Sequence, residues 1–184
     1  MSYKNTVKPV LVLTLFCLAV ALLLAGVNYV TAPVIADATA EAERKARSEA
    51  LPGATDFTEV DIAAYPDLPA TVTACYRDNA GGGYVFLVKS PGYGGKSNPI
   101  TMLVGIKPDG KIAGIKITDV SGETAGIGDK VKKNDFTSRF TGIDRSGVDG
   151  VLNVSGATYS STGVKQGVRD AFTAFAAFAP VKAD

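Results

Sequence analysis

"VSGATYSSTGVKQGVRDAFTAFAAF", residues 154–178, changes character halfway along. Its second half places Val164, Val168, Phe172, Phe175 and Phe178 at intervals of three and four, the period of one helix face, which predicts a helix over 158–178. A stripe of that kind packs against a sheet core. Upstream, "ATVTACYR" (70–77), "GYVFLVKS" (83–90), "ITMLVGI" (100–106) and "KIAGIKITDV" (111–120) are short runs rich in β-branched and aromatic residues, separated by glycines. Met102, Val104 and Ile106 share one strand face, Ile115 and Ile117 alternate around Lys116, and "KPDGK" (107–111) supplies a hairpin turn. Strands followed by a packed terminal helix predict an α+β domain with an antiparallel sheet.

The N-terminal part belongs to a different solvent. Residues 9–30, "PVLVLTLFCLAVALLLAGVNYV", carry no charge and at about 1.5 Å per residue reach across a hydrocarbon core of about 30 Å. A cleaved signal peptide has a shorter apolar core and a small-residue cleavage motif, so a retained transmembrane helix is expected over 9–30. Tyr29 suits the interface. Lys4 and Lys8 precede the segment and Asp37 is the first charge after it, which puts residues 1–8 in the cytoplasm and the remainder outside. Arg44, Lys45 and Arg47 oppose that bias but are interleaved with Glu41, Glu43 and Glu49. Residues 31–54 form a stalk, a solvated helix broken by Pro52 and Gly53, and residues 55–184 form the domain.

Composition narrows the chemistry. Among 184 residues there are 19 Lys and Arg against 18 Asp and Glu, so no basic footprint points to nucleic acid. Histidine is absent, which removes the usual near-neutral base and the commonest metal ligand. Neither a catalytic residue nor a metal site is expected, and redox chemistry would have to come from a cofactor. Cys17 in the apolar run and Cys75 in a strand read as small apolar fillers, and bulky Phe16 argues against lipid attachment at Cys17.

The small residues before the terminal helix admit two readings. Ser155 or Thr158 caps the helix through its hydroxyl oxygen. Alternatively, the free N–H groups of the helix start receive a phosphate, with Gly156 and Ala157 permitting close approach and a hydroxyl holding it by hydrogen bond or ester. No GxGxxG between strand and helix and no GxxxxGK[ST] loop is present. Glycines cluster in "SPGYGGKSNPITMLVGI" (90–106) and "VSGETAGIGDKV" (120–131), where plain turns and ligand cradles look alike.

Taken in order, the anchor ending "NYVTAPVI", then "GYGG", "VGI", "GKIAGIKI", "ETAGIG" and "SGATYSS" resemble the RnfG family, the G component of the Rnf ion-translocating electron transport complex. The C component of the sodium-pumping NADH:quinone reductase is a longer relative of that family. The resemblance implies an extracytoplasmic FMN-binding domain in which Thr158 carries FMN through a phosphoester installed by a flavin transferase. Ser155, Gly156 and Ala157 would serve recognition and close approach, while Glu123, Thr124, Gly126 and Gly128 would line the flavin pocket. It implies a single-pass protein of the cell's inner membrane that passes electrons among the other membrane subunits of a complex linking ferredoxin and NAD to sodium-ion or proton translocation. Such a chain is a redox subunit and not an enzyme by itself.

Two features depart from the family pattern. Ala125 and Ile127 stand where relatives read "ETPGLG", and Leu152 stands three residues before Ser155, where the flavinylation pattern begins with aspartate; Asp149 lies three residues earlier. Two rival readings of the residues are an anchored scaffold or ligand sensor without flavin, and a serine hydrolase using Ser155, Ser160 or Ser161 with Lys165 as base.

Overall fold

The computed structural model describes residues 3–178, in two compact units that divide between residues 43 and 44. The parts of the expected N-terminal and domain segments at residues 1–2 and 179–184 lie outside the described residues. Helix α1 runs Tyr3–Ala50. Among the described residues it is the one helix long and apolar enough to cross a membrane, and Leu11, Leu15, Leu22, Leu23 and Val30 present their side chains with no protein partner. That much unpaired apolar surface requires an apolar solvent.

The second unit is an antiparallel sheet of strands β1 (Phe57–Val60), β2 (Val72–Asp78), β3 (Tyr84–Gly92), β4 (Gly95–Ile106) and β5 (Ile112–Asp119), ordered as they occur along the chain. Each neighbouring pair is antiparallel, with Leu87 opposite Leu103 and Val104 opposite Ile115. The turn at 107–111 closes as expected. Gly110 N–H donates to Lys107 O, Lys107 N–H to Lys111 O, and Gly110 takes a φ of 77°, a value that disfavours any residue with a side chain. After β5 the chain makes short helical turns, including α2 (Asn134–Thr137), before α3 (Thr158–Phe178), so the expected terminal helix is present over the expected residues.

The two sheet faces bury different partners. Toward α3 lie Cys75, Phe86, Val88, Met102, Val104, Ile115 and Ile117, joined by Val164, Val168 and Phe172 of the helix and by Phe136 and Phe140 from the turns. Cys75 is fully enclosed, and burial pushes its thiol up to about 12, so it stays protonated and serves as an apolar filler. Helix α3 comes close because it is notched. Gly163 O accepts from Ser90 Oγ at 2.7 Å, and a Cβ at Gly163 would stand 2.6 Å from Pro91 O. One turn on, a side chain at Gly167 would overlap Met102 and Ser90. These two glycines seat the first turns of α3 against the β3–β4 hairpin, a role that the apolar stripe does not reveal.

The opposite face is covered by the end of α1. Ala46, Ala50, Leu51 and Ala54 are buried with Val85, Leu103 and Ala113. Ala46 and Ala50 are therefore packed while Arg44, Lys45 and Glu49 stay exposed, where the alanine-rich and charged composition read as a solvated helix. Alanine satisfies both settings, and only the sheet beneath it decides between them. Gly105 and Gly114 face each other across β4 and β5, and the Ala50 carbonyl lies in the slot they leave. A Cβ at Gly105 would overlap that carbonyl, and one at Gly114 would stand 3.1 Å from it. Lys116 pairs with Glu49 at 2.5 Å beside this contact, holding the Glu49 carboxyl below its ordinary range, and the Arg47 guanidinium lies 4.5 Å from the centre of the Tyr76 ring.

Gly105→Ala is expected to lower the unfolding free energy of the solubilised chain by about 1–3 kcal/mol, as overpacking does, in a denaturant titration. Gly150→Ala, where an added Cβ meets open space, is expected to change it by no more than about 0.5 kcal/mol.

Candidate functional site

At the N-terminal end of α3 three segments converge. The chain enters through a turn in which Ala157 N–H donates to Val154 O at 3.0 Å and Gly156 takes a φ of 77°. That left-handed glycine at the third turn position is the type II pattern, which lets the backbone reverse directly into the helix. Ser161 N–H donates to Ala157 O at 2.9 Å, the first bond of the helical ladder. Consequently the backbone N–H groups of Thr158, Tyr159 and Ser160 have no acceptor among the described residues. The helix is 21 residues long, so its start carries the partial positive charge of a full macrodipole.

The expected cap is not the one found. The hydroxyls of Ser155 and Thr158 make no hydrogen bond among the described residues, and both residues are exposed. The hydroxyl that organises the turn is Ser161 Oγ, which accepts from Val154 N–H at 3.0 Å and lies fully buried. Ser161 bonds backward across seven residues, a distance that local capping rules do not cover. Thr158 is left with a free hydroxyl beside three free N–H donors. Ala157 is buried beneath it.

Glu123, after β5, ties this turn to the rest of the domain. It is 8% exposed, and both oxygens are engaged: Oε1 accepts from Tyr93 N–H at 2.9 Å, and Oε2 accepts a short bond from Ser160 Oγ. Tyr93 lies at the tip of the β3–β4 hairpin, so a single carboxylate joins hairpin, loop and helix. Glycines make room for it. A Cβ at Gly92 would overlap the Glu123 carboxylate, and one at Gly128 would lie 2.7 Å from Ser160 Oγ.

The remainder of "ETAGIG" wraps into a tight turn. Thr124 O accepts from the N–H groups of Ile127 and Gly128 at 3.1 and 2.8 Å, and Gly126 takes a φ of 74°. Ile127 reaches across to the other segment, where its Cγ2 lies 3.9 Å from the position of a Cβ on Gly156. Thr124 and Gly126 are exposed and Gly128 is buried. The structure thus brings Glu123, Gly128, Ser155, Gly156, Ala157 and Thr158 into one neighbourhood, with Thr124 and Gly126 on its open side. Tyr93 and Ser160 belong to it as well. Ser160 lies two residues beyond the threonine, and its importance is set by its contact with Glu123 rather than by spacing.

Of the departures from the family pattern, Leu152 is 76% exposed, with its carbonyl held by Arg139 at 3.0 Å. Asp149 pairs with Arg169, which holds its carboxyl below the ordinary range. Of the residues in the hydrolase reading, Ser155 is exposed and Ser160, Ser161 and Lys165 each have a partner. Ser160 bonds Glu123, Ser161 bonds Val154, and Lys165 Nζ points to Asp149 O at 3.4 Å. No group of three or more metal-ligating side chains occurs among the described residues.

The arrangement fits a flavin mononucleotide at its phosphate end. Three unsatisfied N–H donors suit an anion, glycines at 126 and 156 allow close approach, and Asp129 Oδ1 is a buried oxygen for which the protein supplies no donor. Such an oxygen is costly unless something donates to it, and the hydroxyls of a flavin side chain are donors.

Fold and site together define an FMN-binding domain, and the family of that description matches residues 92–173, from the hairpin tip through most of α3. The RnfG N-terminal region matches residues 1–49, so the chain carries an RnfG N-terminal region followed by an FMN-binding domain. It is similar to the G component of the proton-translocating ferredoxin:NAD(+) oxidoreductase complex of Clostridium ljungdahlii, 28% identical over 168 residues that cover 86% of this chain and 85% of the relative. It is also 29% identical over 187 residues to the G component of the Na(+)-translocating ferredoxin:NAD(+) oxidoreductase complex of Acetobacterium woodii, covering 91% of this chain and 90% of that one.

Replacing Glu123 by Ala leaves the Ser160 hydroxyl and the Tyr93 N–H without their acceptor. The expected loss of stability is about 1–3 kcal/mol, read as a lower denaturation midpoint, with a smaller loss for Glu123→Gln, which keeps one acceptor oxygen.

Proposed function

We propose that this chain is a membrane-anchored electron carrier whose FMN is joined to the Thr158 hydroxyl by a phosphoester. The observation that carries the reading is the free, exposed hydroxyl of Thr158 beside three unsatisfied N–H groups, inside a matched FMN-binding domain. When bound, FMN supplies reversible transfer of one or two electrons, which none of this chain's own side chains provides.

The residues contribute attachment and position. Thr158 Oγ1 loses its proton as it bonds to the phosphorus of an activated flavin phosphate, whose former leaving group departs; a flavin transferase supplies that donor and catalyses the exchange. The N–H groups of Thr158, Tyr159 and Ser160 neutralise the ester's remaining negative charge, with the α3 dipole adding to them. Ser155, Gly156 and Ala157 shape the turn that the transferase must enter, Gly126 keeps the facing loop clear of the phosphate, and Gly128 leaves room for the Glu123–Ser160 bond. Glu123 holds hairpin and helix together around that point. Fixing the cofactor covalently removes the entropy cost of rebinding it at each turnover.

By its relatives, the chain serves an Rnf-type complex that passes electrons between ferredoxin and NAD while sodium ions or protons cross the membrane, and its partners are the other membrane subunits. The charges flanking α1 support a cytoplasmic N-terminus and an extracytoplasmic flavin domain. The uncharged run at 9–30 offers an ion no polar path, so translocation belongs to those partners.

Produced with a competent flavin transferase, the chain should give a fluorescent band on a denaturing gel and a Thr158 peptide heavier by one FMN less water. Thr158→Ala and Thr158→Val should abolish both while keeping the melting transition. A wild-type chain of unmodified mass, or a fluorescent Thr158→Ala band, would overturn the assignment.

A further inference from the structure

The chain crosses the surface between Val151 and Val154 on its way to the turn that presents Thr158. Both valines pack into the core cluster, and Val154 N–H is fixed to Ser161 Oγ at 3.0 Å. Leu152 and Asn153 lie exposed between these two fixed points. Among the described residues, one hydrogen bond reaches that pair, from Arg139 Nη1 to Leu152 O at 3.0 Å. It spans 13 residues and takes the main-chain oxygen, so the hold does not depend on which side chain stands at 152.

Arg139 is itself held, which gives that bond a fixed direction. It lies in the short helical turn Ser138–Phe140 that follows α2. Its Nε donates to Asp135 O at 3.0 Å and its Nη2 to Asp135 Oδ2 at 2.7 Å, leaving Nη1 for the loop. The guanidinium carbon stands 5.9 Å from the centre of the Phe136 ring, and buried Phe136 meets Phe140 edge-on at 5.3 Å. Two nitrogens thus fix the fork to its own turn while the third reaches outward, an arrangement that needs a planar group with several donors. The Asp135 side chain is 85% exposed, so its ion pair with Arg139 adds little to global stability. The consequence of the contact is local, in the shape of residues 152 and 153.

We infer that Arg139 is a positioning residue for flavin attachment, holding residues 152 and 153 in the shape in which the transferase engages the chain beside Thr158. The inference rests on the covalent reading above and adds what prepares the chain for that reaction. Arg139 makes no hydrogen bond to Thr158 and acts through the backbone that leads to it. A segment already in its bound shape loses little conformational freedom when an enzyme takes it up. A free one must be ordered at that moment, and ordering about one residue corresponds to about tenfold in affinity. The effect therefore falls on the encounter of chain and transferase and not on the bond formed at Thr158 Oγ1.

The test uses the full-length chain in detergent with the flavin transferase and its activated flavin phosphate. Initial rates of mass gain against chain concentration give KM and kcat for the chain as substrate. Arg139→Ala should raise KM about tenfold and leave kcat within about twofold of wild type. Asp135→Ala removes one of the two bonds that aim the guanidinium and should raise KM about threefold, and it carries the test where Arg139→Ala does not fold. Arg169→Ala, which frees Asp149 on the other side of Val151, should keep the wild-type KM. Amide exchange in Arg139→Ala should quicken in the peptide carrying Leu152 and Asn153 and stay slow in α3. A wild-type KM in Arg139→Ala and Asp135→Ala would overturn this inference while leaving the attachment intact. So would a KM rise shared equally by Arg169→Ala, or a change accompanied by rapid exchange throughout α3, since the arginine would then act on the whole domain. A wild-type chain that gains no mass overturns both readings.

Discussion

The carboxylate of Glu123 ties together three segments, the β3–β4 hairpin tip, the loop after β5 and the first turn of α3. The hairpin tip offers a backbone N–H, the first turn of α3 offers the Ser160 hydroxyl, and a buried acceptor with two oxygens satisfies both. The serine bond is enclosed and the Tyr93 bond partly so, and losing the acceptor would strand the buried Ser160 hydroxyl. The small residues around it follow from this constraint. Gly92 and Gly128 have no room for a side chain because the carboxylate and its serine partner fill the space, and Gly163 has none because the hairpin backbone lies against it.

With that junction closed, the remaining polar groups at the helix start are left for something else. Three N–H donors and a threonine hydroxyl face outward from a turn that caps itself through Ser161 instead. A redox carrier needs little more from its protein than a fixed attachment point, neutralisation of a phosphate and an open side for exchange. The absence of histidine is consistent with that economy, since no step assigned to these residues requires a near-neutral acid or base. On the other sheet face, the paired glycines of β4 and β5 receive the end of α1, so the sheet is enclosed by helix on both sides.

Much of the fold was legible in the chain itself. The 158–178 helix follows from its stripe, the 107–111 hairpin from Asp-Gly chemistry, and the burial of Cys75 from its apolar strand neighbours. The site was legible in outline, because the small residues at 155–158 and the glycines at 92–95 and 123–128 stood out as segments. Their mutual contacts were not. Local propensity is silent on whether Ser155, Thr158 or Ser161 bonds the turn, and the side chain that does so is the one directed into the core. The end of α1 also read as solvated, because alanine and charged residues make a good helix whether or not a sheet lies beneath.

By itself, then, the sequence determined the uncharged apolar span, the alternation of strands, the terminal helix and the small-residue turn that opens it. Each of those is written in neighbouring residues through the helical or strand period, backbone freedom at glycine, or transfer from water. Only the tertiary structure decided that Glu123 would join positions 93 and 160, and that glycines 105 and 114 would receive a carbonyl. Those contacts join residues far apart in the chain, and their energies depend on burial and on approach within a few ångströms, which no local pattern encodes.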